Sequence, residues 1–130
     1  MAAALLRHML KKERLNGIEL FSRGLSVWPN EPMSRGAQET LKAAGIHPGP
    51  HASHALEAKD VKRADLILAM TETHEQSILA EYPEAKGKTR RLASFDIADP
   101  VGGSPKDYEK CRIDIQNALL DLFIQLKKDE

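Results

Sequence analysis

The sequence predicts an α/β class fold, a three-layer sandwich with a small parallel sheet, on three observations. Amphipathic segments with helical spacing alternate with short apolar runs. One run, Ala64 to Met70, is apolar at almost every position, as in a strand buried on both faces of a parallel sheet. Gly and Pro fall between the segments, so loops punctuate the alternation, and helices alternating with strands pack as layers. At 130 residues the chain is a single domain, 1–130, able to bury roughly two-thirds of its unfolded surface.

The elements follow in order. Leu5, Leu6, Met9 and Leu10 recur at helical spacing, so Ala2 to about Leu15 reads as an amphipathic helix that Asn16-Gly17 stops. Ile18 to Phe21 is short and apolar enough for a buried strand, ended by Ser22-Arg23-Gly24. A loop carries Trp28, Pro29, Asn30 and Pro32. Ser34 to Ala44 is a helix with Gly45 just past its end. His47 to His54 is a loop because Pro48, Gly49 and Pro50 forbid regular pairing. Glu57 to Arg63 is a short charged helix leading into the apolar strand. Thr71 to Glu81 is helical and Pro83 ends it. Thr89 to Ala93 is a strand whose pattern Arg90 and Arg91 interrupt. Ser94 to Ser104 is a loop, and Pro105 opens a last helix with Tyr108, Cys111, Ile115, Ala118, Leu119, Leu122 and Leu126 on one stripe.

Composition narrows the function classes. Lys plus Arg total 19 and Asp plus Glu total 19, so no whole-protein field draws in nucleic acid or an anionic membrane. The single Cys111 forms no internal disulfide, which suits a reducing cytoplasm. The opening segment has Arg7 and His8 inside its apolar stretch and its lysines afterwards, the wrong order for a secretion signal. No stretch approaches membrane-spanning length.

Parallel sheets bind ligands beyond the carboxyl ends of their strands, which directs attention to the loops after Phe21, Met70 and Ala93. The last holds Asp96-Ile97-Ala98-Asp99-Pro100-Val101-Gly102-Gly103, a carboxylate before a rigid Pro and two glycines. From the residues alone, Asp99 reads as a general acid or as an Asx-type turn that caps local backbone. His47, His51 and His54 lack the Cys partner or helical His spacing of a zinc site, so no metal and no cofactor are expected. Asp96 with Asp99 is too close in sequence for a glycosidase pair. Lys86, Lys88, Arg90 and Arg91 read as a solvated basic face. Cys111, on the apolar stripe of a helix interior, reads as a small core residue.

Taken in order, SRGLSVW, AGI followed by His51-Ala52-Ser53-His54, ADLILAMTETHE, and DIADPVGGS followed by Tyr108 resemble the low-molecular-weight protein tyrosine phosphatase family over nearly the whole chain. The resemblance implies a four-stranded parallel sheet and hydrolysis of phosphotyrosine or phosphoarginine on a protein substrate through a phosphocysteine. It implies Asp99 as general acid, Trp28 and Val101 on the rim of the substrate pocket, and His51 as a brace for the phosphate-binding loop. Val101 stands where aromatics are common, and Arg23 replaces a small residue, which weighs against a phosphotyrosine preference.

The family's phosphate loop has the pattern Cys-x5-Arg-Ser-Pro-Met, and Met1 matches the Met after it. The expectation is a chain lacking the first, inner strand, the nucleophilic Cys and the phosphate-binding Arg, through a misplaced start codon or a truncated gene. Cys111 has Asn117 six positions later where an Arg is needed. The chain as it stands is thus expected to be inactive, or to act as a non-catalytic pseudophosphatase binding module. An arsenate reductase would need paired downstream cysteines, and there are none. With the inner strand absent, Ile18 to Phe21 and Leu66 to Met70 would stand about 10 Å apart or close on each other.

Overall fold

The computed structural model describes residues 1–15, 17–25, 30–49 and 51–128, with the side chains of 126–128 excepted. The elements run α1 (Ala2–Lys12), α2 (Arg35–Ala43), α3 (Ala58–Arg63), β1 (Ile67–Ala69), α4 (Glu72–Glu81), a 3₁₀ turn (Pro83–Ala85), β2 (Thr89–Arg91) and α5 (Pro105–Lys128). The strands β1 and β2 are parallel, with Ile67 opposite Thr89 and Ala69 opposite Arg91.

The helix boundaries follow local chemistry. Ser34 caps α2, its Oγ accepting the Ala37 N–H, and Gly45 at φ +76° turns the chain out of the helix. The N–H groups of Gly45 and Ile46 then reach back to Lys42 and Leu41, so the last carbonyls are satisfied and buried Ile46 is drawn towards buried Leu41. Thr71 caps α4 through the His74 N–H. Helix α1 departs from expectation by stopping at Lys12. Arg14 takes the left-handed conformation at φ +56°, and Leu15 donates to the Leu10 carbonyl, closing a Schellman motif without glycine. A non-glycine residue there costs about 1–2 kcal/mol, which the burial of Leu10 and half-burial of Leu15 offset.

Two apolar clusters surround the sheet. The larger joins α1, α2 and α5 through Ala4, Leu5, Leu41, Ile46, Ile97, Cys111, Ile115, Leu119 and Leu122. The smaller, Val61, Ala69, Ile78 and Ala85, sits between α3, α4 and β1. Cys111 is buried in the first cluster, as its place on the α5 stripe predicts.

Ile18 to Phe21 is not a strand. Its backbone makes no ladder with β1, the unpaired of the two arrangements the sequence allowed, and regular pairing is replaced by one parallel bridge between Gly24 and Ala55. A strand exists only by virtue of a neighbour that shares its N–H and C=O groups, and apolarity does not supply one. Side chains hold the segment instead. Arg23 Nε donates to Asp60 Oδ2 at 3.0 Å, Glu19 pairs with Arg63, and the Phe21 ring lies under both guanidinium groups, 4.7 and 5.4 Å from its centroid. Amides 18–21 should therefore exchange far faster than those of β1 under native conditions. Protection equal to that of Ile67–Ala69 would show a ladder that the structure lacks.

The basic cluster is also more than a solvated face. Lys88 Nζ donates to the carbonyls of Val61 and, at 2.8 Å, Ala64, closing the C-terminal end of α3. Arg90 bonds Gln125 of α5 and Arg91 bonds Asp96. Lys86 remains exposed.

Candidate active site

The loop 94–104 leaves β2 and crosses the carboxyl ends of both strands before entering α5. Its course is held at successive points. Leu92 N–H donates to Ala69 O at 2.8 Å and Ile97 N–H to Met70 O at 2.9 Å, while the Ile97 side chain is buried in the main core. The Cys111 thiol lies 3.8 Å from Ala98 O as a weak donor. Asp99 Oδ1 then accepts the Val101 N–H at 3.0 Å, the Asx turn expected of an Asp-Pro pair. Gly103 N–H donates to Pro100 O at 2.7 Å with Gly102 at φ +84°, a type II turn that needs a glycine in its third place. A Cβ on Gly103 would fall 2.8 Å from Pro100 O, so the second glycine is required by close approach. Ser104 and Asp107 close the loop as a capping box, each accepting the other's N–H.

This geometry exposes Asp99 and brings it close to the first turn of α1. The Cys111 thiol is pushed up from its ordinary pKa by burial and by the nearby Asp99 carboxylate. Burial lowers the Met1 amino group, against which the charges of Cys111 and Asp99 act in the other direction. Asp99, Cys111 and the start of α1 thus share one neighbourhood. His51 is half-buried on the α1 side, its pKa lowered by burial and then by the positive charges of the amino terminus, Arg7 and His54. Val101 is 67% exposed. Trp28 lies outside the described residues.

Other candidates resolve differently. His47 Nδ1 accepts the Gly49 N–H in a local turn, and among the described residues no group of three His, Cys, Asp or Glu is arranged to hold a metal. Arg23 is engaged with Asp60 and with the Ser22 carbonyl. Two open surface depressions lie away from the loop, one lined by Ala58, Lys59, Lys62, Glu84 and Lys88, the other including Leu66, Arg90 and Leu122. Sequence reasoning missed Asp96 and Asp107 as anchors of the loop. Asp107 carries a readable signal, since Ser-x-x-Asp before an apolar stripe is a capping-box pattern. No local signal marks Asp96, whose partner in α4 is 24 residues away.

Residues 1–130 match the family model described as low molecular weight phosphotyrosine protein phosphatase. The chain belongs to this family. It is 34% identical over 136 residues to a protein-arginine-phosphatase of Geobacillus stearothermophilus, covering 100% of this chain and 88% of that protein. It is 30% identical over 115 residues to the low molecular weight protein-tyrosine-phosphatase Ptp of Acinetobacter johnsonii, covering 86% and 81%. Its backbone superposes on the solved YwlE arginine phosphatase from Geobacillus stearothermophilus with a TM-score of 0.89 at 33% identity, covering 98% of this chain and 84% of that one. The three-layer α/β fold with a small parallel sheet is therefore this phosphatase family's fold. Among the described residues no helix is long and apolar enough to cross a membrane.

Proposed function

We propose that the chain carries the acid half of a protein phosphatase site, with Asp99 as the proton donor, and that these 130 residues by themselves do not turn over substrate. The observation that carries this reading is the placement of Asp99. It is exposed on a loop pinned at both ends, beside the start of α1, while the sequence's one thiol is buried. Phosphoryl transfer to a thiol needs a thiolate and donors around the phosphoryl oxygens. Cys111 meets neither need: burial keeps it protonated, and it occupies a helix interior with Asn117 six residues on.

In the full reaction a thiolate attacks phosphorus and Asp99 protonates the departing oxygen or guanidino nitrogen. Ionised Asp99 then takes a proton from the water that hydrolyses the phosphocysteine. His51 and Trp28 are assigned to bracing the phosphate loop and lining the rim. The substrate class is phosphotyrosine or phosphoarginine on a protein. Aliphatic Val101 on the rim and the arginine-phosphatase relatives favour phosphoarginine. The setting we assign is the reducing cytoplasm, where a lone thiol stays reduced.

The test compares the 130-residue chain with a version preceded by the residues encoded immediately upstream, on an aryl phosphate and on a phosphoarginine peptide. The shorter chain should show no turnover. If the upstream codons supply Cys-x5-Arg, the longer one should turn over, and Asp99→Asn should lower its kcat about 10²- to 10⁴-fold. Turnover by the shorter chain that Asp99→Asn leaves unchanged would overturn both the assignment and the inactivity.

A further inference from the structure

We infer that Asp96 is a positioning residue for the acid loop, fastening the segment that carries Asp99 to both β2 and α4; this rests on the reading of Asp99 as proton donor. Asp96 Oδ1 accepts two hydrogen bonds, from the Glu72 backbone N–H at 2.9 Å and from Arg91 Nη1 at 3.1 Å. Glu72 is the first residue of α4, and Arg91 is the last of β2. One oxygen therefore joins the loop to the strand end it left and to the helix that follows β1.

Three features make the contact directional. Thr71 already satisfies the His74 N–H, so α4 has a cap of its own, and Asp96 takes the Glu72 N–H in addition. Arg91 is half-buried, with its side chain 31% exposed, which limits the places its guanidinium can go. Only Ile97 and Ala98 separate Asp96 from Asp99, and Ile97 is itself bonded to Met70 O and buried. Ile97 fixes the depth of the loop over the sheet, and Asp96 fixes its rotation about that anchor. A general acid must meet the leaving atom within hydrogen-bond reach, so rotation of this segment by a small angle carries Asp99 out of line.

The experiment uses the 130-residue protein and amide exchange with water, so it is independent of turnover. Asp96→Asn keeps an oxygen for the Glu72 N–H but loses the charge that Arg91 requires. Arg91→Gln removes the other partner and leaves α4 untouched. Each should speed exchange of the Val101 and Gly103 amides about 3-fold, the effect of a partly exposed ion pair. The two changes combined should do no more than either alone. Asp96→Ala should raise the effect to about 10-fold. A purely structural cap would instead speed exchange in the first turn of α4 and leave Val101 and Gly103 alone. That pattern, or additive effects of Asp96→Asn and Arg91→Gln, would overturn the inference. Because Asp99→Asn in the turnover assay tests the proton donor separately, failure of one reading does not imply failure of the other.

Discussion

Replacing Asp60 with Ala should destabilise the fold by about 3 kcal/mol, or roughly 10 °C in the thermal midpoint. Asp60 is the buried charged residue of the described core, 4% exposed. Its Oδ2 accepts the Glu57 N–H at 3.1 Å and Arg23 Nε at 3.0 Å. Alanine removes the reciprocal cap of α3, worth about 1 kcal/mol, and takes the carboxylate from a guanidinium that is 23% exposed and keeps its bond to the Ser22 carbonyl. Deleting one partner of a fully buried pair costs about 3–5 kcal/mol; partial access to water brings the Arg23 share below that range. By contrast, the Arg35–Glu39 pair, 92% and 61% exposed, contributes at most a few tenths. Asp60→Asn keeps an oxygen for Glu57 and should lose about half as much. Chemical denaturation of the three proteins checks the order, and a loss under 1 kcal/mol for Asp60→Ala would show that Arg23 does not hold the Ile18 to Phe21 segment.

The same residue sets a pH dependence. Burial alone would raise its pKa, but the Glu57 N–H and the Arg23 guanidinium outweigh burial and leave it below the ordinary aspartate value. The unfolded chain then binds the proton more readily than the folded one. The stabilisation is complete above about pH 4 and fades as the pH falls through the lower, folded value. Asp60→Asn should therefore flatten the acid side of the stability profile and leave its slope near neutrality unchanged.

What was legible in the sequence divides along the line between local and distant partners. Ser34 with Gly45, Thr71, and Pro105 mark helix ends because a cap bonds residues within a turn of itself. The Asp99-to-Gly103 turn is readable for the same reason, as is Cys111, whose burial follows from its place on the α5 stripe. The roles of Arg23, Lys88 and the bond from Asp96 to α4 are not readable, because each depends on a group brought near only by the fold. Ile18 to Phe21 fails for a related cause: its composition permits a strand, and whether one forms depends on what stands beside it. Arg14 fails differently, since packing of Leu10 and Leu15 overrides a conformational preference that would have put the turn at Gly17.

Gly36→Ala should reverse its sign with the residue at position 108. Gly36 lies inside α2, where alanine alone would favour the helix by about 1 kcal/mol. A Cβ there, however, would stand 2.4 Å from Tyr108 Cε2 and 2.5 Å from Cζ. The Tyr108 ring is buried, and its hydroxyl lies 3.4 Å from Ser34 Oγ, so it has no open space to enter. Overpacking of this kind costs about 3 kcal/mol, so the net loss should be near 2 kcal/mol. With Tyr108→Ala already present, the obstacle is gone and the helix preference alone remains, so the same substitution should stabilise by about 1 kcal/mol. The coupling reaches the active-site loop because Tyr108 lies one residue beyond Asp107, which closes that loop with Ser104. A double-mutant cycle by denaturation decides it: equal effects of Gly36→Ala in the two backgrounds would mean that α2 and α5 do not meet through this glycine.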